Sequence, residues 1–170
     1  MTSVTQPLRD EHRELRPDID ALESLADAVG SVPAGDIVRR LDATLTFLTD
    51  HLLVHAQAEE QVLYPAVAQV LGAPATTTTM SRDHVAIREM TTELQALRRR
   101  LNPAHLTPND ERSLRQILYG LHTLVRVHLA KEEDVFLPAL DAALTADQAR
   151  DLFTAMEHAA QALRVPTGLA

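Results

Sequence analysis

The chain has 170 residues, 45% of them apolar, enough for one buried core and at most one domain with a tail. Its formal charge of −8 opposes a phosphate backbone and argues against nucleic acid as a partner, and the lack of cysteine excludes disulfides, zinc fingers and thiol chemistry. Leu and Ala dominate, aromatics make up 3% and only five glycines are present, so helices are expected rather than hairpins and sheets.

A first helix is expected after Thr5, with Pro7 in its first turn and an apolar stripe of Leu8, Leu15, Ile19, Leu22 and Ala26 running to about Val29. Pro17 lies inside this pattern and should kink the helix without ending it. "GSVPAG" breaks the chain, and a long second helix follows from about Asp36 to Leu71. Leu41, Leu45, Leu48, Leu52, Val62 and Ala66 should form its buried face, with Pro65 bending its last turns. The third helix is expected over Met80 to Leu101, with Met80, Ile87, Leu94 and Leu97 inward and "RRR" at 98–100 meeting the negative end of its dipole. Thr107, Pro108 and Glu111 mark the start of a fourth helix to about Leu144, with Leu114, Leu118, Leu121, Val125 and Val135 inward and Pro138 near its end. Thr145 caps a short fifth helix carrying Leu152, Met156 and Leu163.

This pattern predicts an all-α fold: an antiparallel up-down four-helix bundle over 1–144, with a C-terminal helix and tail over 145–170 packed on it or joining a second copy. The opening "MTSVTQPLRDEH" carries no apolar leader and no stretch approaches a membrane span, so a cytoplasmic protein is expected. It should be a monomer or a weak homodimer.

One phrase occurs twice: "HAQAEEQVLYP" from His55 and "HLAKEEDVFLP" from His128. Each lies on a long helix, and each is preceded at nearly the same interval by another histidine, His12 in "DEH" and His84 in "RDH". The chain therefore reads as two αα-hairpins of one design. His12 continues the stripe of the first helix and His84 that of the third. His55 with Glu59, and His128 with Glu132, share one face of the long helices at i, i+4. Four imidazoles and two carboxylates thus point into the core at similar depth, and no Lys or Arg lies in the inward stripes to offset them. Burying unpaired carboxylates costs at least several kcal/mol each, against a net stability of about 5–15 kcal/mol. Metal cations are the expected compensation. A single tetrahedral zinc would leave two ligands over, whereas two first-row ions about 3.5–4 Å apart, iron foremost, use all six.

With His12 and His84, these two phrases resemble the hemerythrin-like (HHE cation-binding) proteins over about residues 8 to 140. The resemblance implies that His12, His55, Glu59, His84, His128 and Glu132 hold two iron ions. Glu59 and Glu132 would bridge them, and a solvent-derived oxo or hydroxo group would complete the core. The oxygen-carrying members have a fifth histidine four residues after the one matching His84, where this chain has Arg88, and end on HxxxxD rather than HxxxE. Simple oxygen storage is therefore doubtful, and reaction with peroxide, dioxygen or nitric oxide is expected, with peroxide detoxification by a catalase- or peroxidase-like activity foremost. The alternative is a non-enzymatic module that binds or senses oxygen, nitric oxide or iron.

Around this set, His51 is a candidate fifth ligand or proton shuttle, or else a core or loop-facing residue with a hydrogen bond. Glu60 and Glu133 lie about 100° off the ligand face and should be salt-bridged or solvated, with an outer role as the alternative. Tyr64 should pack, unless Pro65 distorts the helix enough to bring it to the metals. Tyr119 lies opposite the His128 face, and His105, His122 and His158 are expected at the surface or in packing. No Glu has a His three residues on, as a ferritin-like oxidase needs, and no nucleophile elbow or phosphate loop is present.

Overall fold

A computed structural model describes residues 3–164, Pro74 by its backbone alone. The described residues are helical throughout, apart from loops and one isolated bridge between Asn102 and His105. They form five rods. Helix α1 spans Gln6–Ala28, with Pro17 retained inside it. Rod α2 covers 34–71 and joins α-helical Ala34–Phe47, Leu53–Ala58 and Tyr64–Leu71 through π-helical turns at Leu48–Leu52 and Glu59–Leu63. Helix α3 is Thr78–Arg100. Rod α4 covers 108–143, with a π-helical turn at Glu132–Phe136, and α5 is Ala146–Arg164. The tail of the expected C-terminal segment, from residue 165 on, lies outside the described residues.

The ends follow from local chemistry. Thr107 accepts from the Asp110 N–H while the Asp110 carboxylate accepts from the Thr107 N–H, closing a capping box in which Asp110, not Glu111, is the partner. Thr145 and Gln148 make the same exchange at the head of α5. Rod α2 ends on Gly72, whose φ of 63° is left-handed and suits a residue without a side chain. Arg98–Arg100 occupy the last turn of α3, and Arg98 grips Asp42 of α2 with two nitrogens.

Packing divides into two apolar clusters. One gathers Leu22 and Leu25 of α1, Ile37 and Leu41 of α2, Leu94 and Leu97 of α3, and Leu114 and Leu118 of α4. The other gathers Leu8, Leu63, Val67, Met80, Phe136, Leu137 and Leu140, closed by Met156 of α5. Helix α5 lies against the Leu53–Leu63 stretch of α2. Of its predicted apolar positions Met156 is buried, while Leu152 and Leu163 are half-buried.

Of the expected core positions, Leu15 and Leu45 are half-buried at the edge of the first cluster, and three at or after the π turns are displaced. Val62 and Ala66 are only half-buried and Val135 is 53% exposed; Leu63, Val67, Phe136 and Leu137 take the interior instead. The π turns are the reason. The Tyr64 N–H reaches back to Glu59 O and the Leu137 N–H to Glu132 O, five residues each, so one extra residue is accommodated and every later side chain rotates by about 100°. The turns at Glu59–Leu63 and Glu132–Phe136 each end one residue short of a proline, Pro65 or Pro138. A proline ring presses on the carbonyl four residues back, and the widened turn makes room for it. The prolines thus shift the phase of the rods where simple bending was expected.

Replacing Thr107 by alanine should remove the cap of α4 and lower stability by about 1 kcal/mol, read as a lower urea midpoint at unchanged m-value. A midpoint unchanged from wild type would show that the cap does not anchor this rod.

Candidate metal centre

On each of α1 to α4 the expected histidine falls between the two apolar clusters, and the structure brings His12, His55, Glu59, His84, His128 and Glu132 together there. His12, Glu59 and Glu132 are fully buried, and His84, His128 and His55 retain 1%, 3% and 5% exposure. His12, His55, Glu59 and Glu132 form one group whose ligand atoms could hold a metal ion, and Glu59, His84 and His128 form another. Glu59 belongs to both. Its Oε1 lies 2.9 Å from His55 Nε2 and 3.7 Å from His12 Nε2, and its Oε2 lies 3.4 Å from His84 Nε2. Glu132 spans the same two halves, with Oε2 3.6 Å from His12 Nε2 and Oε1 3.4 Å from His128 Nε2. His84 Nε2 and His128 Nε2 approach to 2.9 Å, close to the ~3 Å separating two imidazole nitrogens at right angles on one ion at about 2.1 Å.

The donor set fits metal ions. His12 Nε2, His55 Nε2, both Glu59 oxygens and Glu132 Oε2 are buried without a hydrogen-bond partner, although several lie close to one another. Each such atom costs about 1–3 kcal/mol, and more when charged. Among the described residues no lysine or arginine is buried to offset them.

A second layer turns every imidazole to face inward. His12 Nδ1 meets Glu133 at 3.3 Å, His55 Nδ1 meets Glu11 at 3.0 Å, His84 Nδ1 meets Glu60 at 3.0 Å and His128 Nδ1 meets Asp83 at 3.2 Å. A carboxylate accepts, so in the neutral ring Nδ1 carries the proton and the Nε2 lone pair faces the centre. These contacts run in a closed ring. An acid on α1 holds the histidine of α2, one on α2 that of α3, one on α3 that of α4, and one on α4 that of α1. Two of the acids are pinned from outside, Glu133 by Arg16 and Asp83 by Lys131.

Glu60 and Glu133 thus take the outer role that was the lesser expectation, Glu133 with a salt bridge as well. Glu11 and Asp83 went unassigned, although each is the residue before a site histidine, in "DEH" and "RDH". That shared acid was the available signal. Tyr64 also moves inward, because the π turn before it rotates it onto the cluster. Its hydroxyl donates to Glu132 Oε1 at 2.8 Å and lies 3.3 Å from His84 Nε2. Burial, reinforced by the Glu59 and Glu132 carboxylates, raises the Tyr64 pKa far above its ordinary value, so it stays a proton-bearing donor.

His51 is corrected: it is exposed and stacks on Phe47, away from the cluster, because the π turn at Leu48–Leu52 changes the phase of α2. His105 and His158 are exposed, and His122 is buried in packing, 3.7 Å from Asp20. Tyr119 is partly exposed and donates to Asp27. Arg88 is exposed.

Charge balance without a metal rests on protons. Burial disfavours charge on His55, but Glu59 and Glu11 outweigh it and lift its pKa well above the ordinary histidine value. Burial likewise works against His128, and Glu132, Glu59 and Asp83 raise it. Burial pushes Glu59 up, yet His55, His12 and His84 hold it well below the ordinary carboxylate value. The sign follows. The raised histidines stabilise the metal-free fold fully below their unfolded pKa, and that contribution fades as pH rises through the folded values. The lowered Glu59 contributes above its unfolded value and is lost as pH falls through the folded one.

Metal loading between the ordinary and the raised histidine pKa values should therefore release protons and grow tighter with pH, checked by titration in weakly buffered indicator dye. Loading without proton release would contradict protonated imidazoles at the cluster. Replacing Tyr64 by phenylalanine should remove a hydrogen bond to a charged acceptor and destabilise the metal-free protein by about 1.5–3 kcal/mol in urea unfolding. A change below about 0.5 kcal/mol would show that the phenol does not hold Glu132.

Comparison with curated proteins finds no match, and neither does comparison with solved structures. The hemerythrin HHE cation-binding domain, compared as a family model, matches residues 3–140 and so takes in all six clustered side chains and their four outer acids. With most of its length covered, the chain belongs to the hemerythrin HHE cation-binding domain family.

Proposed function

We propose that this chain is a non-heme di-iron protein reacting with small oxidants, hydrogen peroxide foremost, on an antiparallel up-down four-helix bundle over 1–144 that carries the 145–170 segment. The order in which the four rods enter the two apolar clusters supports that topology: low numbers on α1 and α3 meet high numbers on α2 and α4. The single observation that carries the function is the sharing of Glu59, and of Glu132 with it, between the His12/His55 pair and the His84/His128 pair. Two carboxylates spanning two histidine pairs suit two ions bridged side by side, with an oxo or hydroxo group from solvent completing the core. His12, His55, His84, His128, Glu59 and Glu132 are the proposed ligands.

Two irons at this place would supply the electrons that a bound peroxide, dioxygen or nitric oxide requires. The residues of the chain do the remainder. Glu133, Glu11, Glu60 and Asp83 fix the tautomer and direction of the four rings. Tyr64 holds Glu132 and keeps a proton at its hydroxyl, within reach of a small polar ligand in the His84/His128 half. The apolar clusters on either side exclude bulk water. Four histidines against the five of the oxygen carriers, with Arg88 turned outward, support exchangeable positions and hence reaction over storage.

The packing of α5 over Leu53–Leu63, which contains Glu59, supports a second reading: a module that senses an oxidant and passes on a movement of α5. Steady-state peroxide consumption separates the two. Iron-loaded protein should consume peroxide, and His128→Ala should lower the rate at least about tenfold. Wild-type protein that holds two irons without turnover would leave only the sensing module, and turnover that survives the substitution would place the activity outside this site.

A further inference from the structure

A cleft of about 730 Å³ opens between α1 and α5, and one residue of the cluster, His55, lines it beside Glu11 and Ala58. His55 is more than nine-tenths buried and is the most exposed of the six clustered residues. Its ring joins the two spaces. Nδ1 rests on Glu11 at the cleft, while Nε2, without a hydrogen-bond partner, is turned to the centre. The outer acids are not equally secured. Arg16 pins Glu133 and Lys131 pins Asp83, whereas Glu11 is 47% exposed and its described ion pair is with His55 alone. Two further carboxylates line the same cleft, Glu14 one turn beyond Glu11 on α1 and Glu157 on α5. Of the two arginines in the lining, Arg150 is paired with Asp147, which leaves Arg164, shared with a neighbouring hollow that Glu11 and Glu14 also line, against three carboxylates. Helix α5 lies beyond the 3–140 match, so one wall of this cleft is a feature of this chain outside the shared domain.

We infer that ferrous ions reach the cluster through this cleft, gathered by Glu14 and Glu157 and passed inward at the Glu11–His55 pair. The inference rests on the di-iron reading above and adds the route by which the site is filled. Ferrous ion, of borderline hardness, takes carboxylate oxygens as well as imidazole nitrogens. A cleft with low-dielectric walls concentrates the field of its charges and raises the local cation concentration. Passage inward then needs only a side-chain movement: Glu11 exchanges its hold on His55 Nδ1 for the arriving ion, the ring swings, and the ion meets the unpartnered Nε2 and Glu59. No bond is oxidised or reduced in this transfer. Glu14 and Glu157 act on the rate of loading and take no part in final coordination.

The test follows the loading of the full-length metal-free protein with ferrous ion under anaerobic conditions, free ion being sampled over time with a chromogenic chelator. Glu14→Gln combined with Glu157→Gln should slow loading about threefold to tenfold at low ionic strength. The difference should close at about 0.5 M salt, where the Debye length has shrunk to a few ångströms. The final iron content should equal wild type. Glu89→Gln combined with Glu93→Gln, which removes the same charge from exposed sites on α3, should load at the wild-type rate. Equal slowing in both double variants would reduce the effect to net charge and overturn the route. Wild-type loading by the cleft variant would overturn it too, as would a lowered final content at unchanged rate, which would make these acids ligands. If wild-type protein itself takes up no iron, the di-iron reading fails first, and that result is distinct from the others.

Discussion

The structure depends on one electrostatic constraint: two carboxylates and four imidazole nitrogens are held in an apolar interior in which, among the described residues, no lysine or arginine is buried. In such a place ionised carboxylates must meet positive charge or cost several kcal/mol each. The neighbouring carboxylates favour the charged forms of His55 and His128 and raise their pKa values, while the histidines hold that of Glu59 down. Metal ions would meet the need in full and use the inward lone pairs of the rings. A core that is costly when empty and satisfied when filled couples folding to metal in the usual sense for small metalloproteins.

The outer ring of acids turns that core into a directed site. Each of the four long rods supplies a histidine inward and an acid sideways, and each acid fixes its neighbour's histidine. No rod can rotate without loosening the imidazole beside it, so helix packing and ligand orientation depend on each other. The two halves are alike in pattern, and within each one outer acid is held more firmly than the other. Cations clamp the acids behind His12 and His128, whereas the acids behind His55 and His84 stand more open to water. This asymmetry arises from single residues, Arg16 and Lys131, laid over a duplicated frame.

The π-helical turns link backbone geometry to the site. A proline after Leu63 or Phe136 would strain an ordinary helix of this packing, and a widened turn accommodates it. The same widening moves Tyr64 onto the cluster and Leu63 and Phe136 into the core. The two turns ahead of the prolines each begin at a buried glutamate, Glu59 or Glu132, so the altered backbone and the chemistry share one position. Turns of this kind gather at functional sites, and here the proline next door supplies a local cause.

Much of this was legible in the residues alone. Because the apolar stripes are long, helical periodicity set the first four rods to within two residues and the start of the fifth, which at 19 residues is longer than the short helix expected. The repeated His-x-x-x-Glu phrase put four polar side chains on inward faces, since i, i+4 spacing keeps both on one side of a helix whatever it packs against, and the stripes of α1 and α3 added His12 and His84. What failed to show were the consequences of phase and neighbourhood. Val62, Val135 and His51 were misplaced because a straight helix was assumed across turns that each hold one extra residue. Glu11 and Asp83 stayed unassigned because their partners lie on other rods, and no spacing along one helix reveals which acid will face which ring. The linear order of the chain thus determined which side chains could converge. Only the tertiary packing decided which acid steadies which histidine, that Tyr64 joins them, and that one ring lies beside an open cleft, because those contacts are made between segments far apart in the chain.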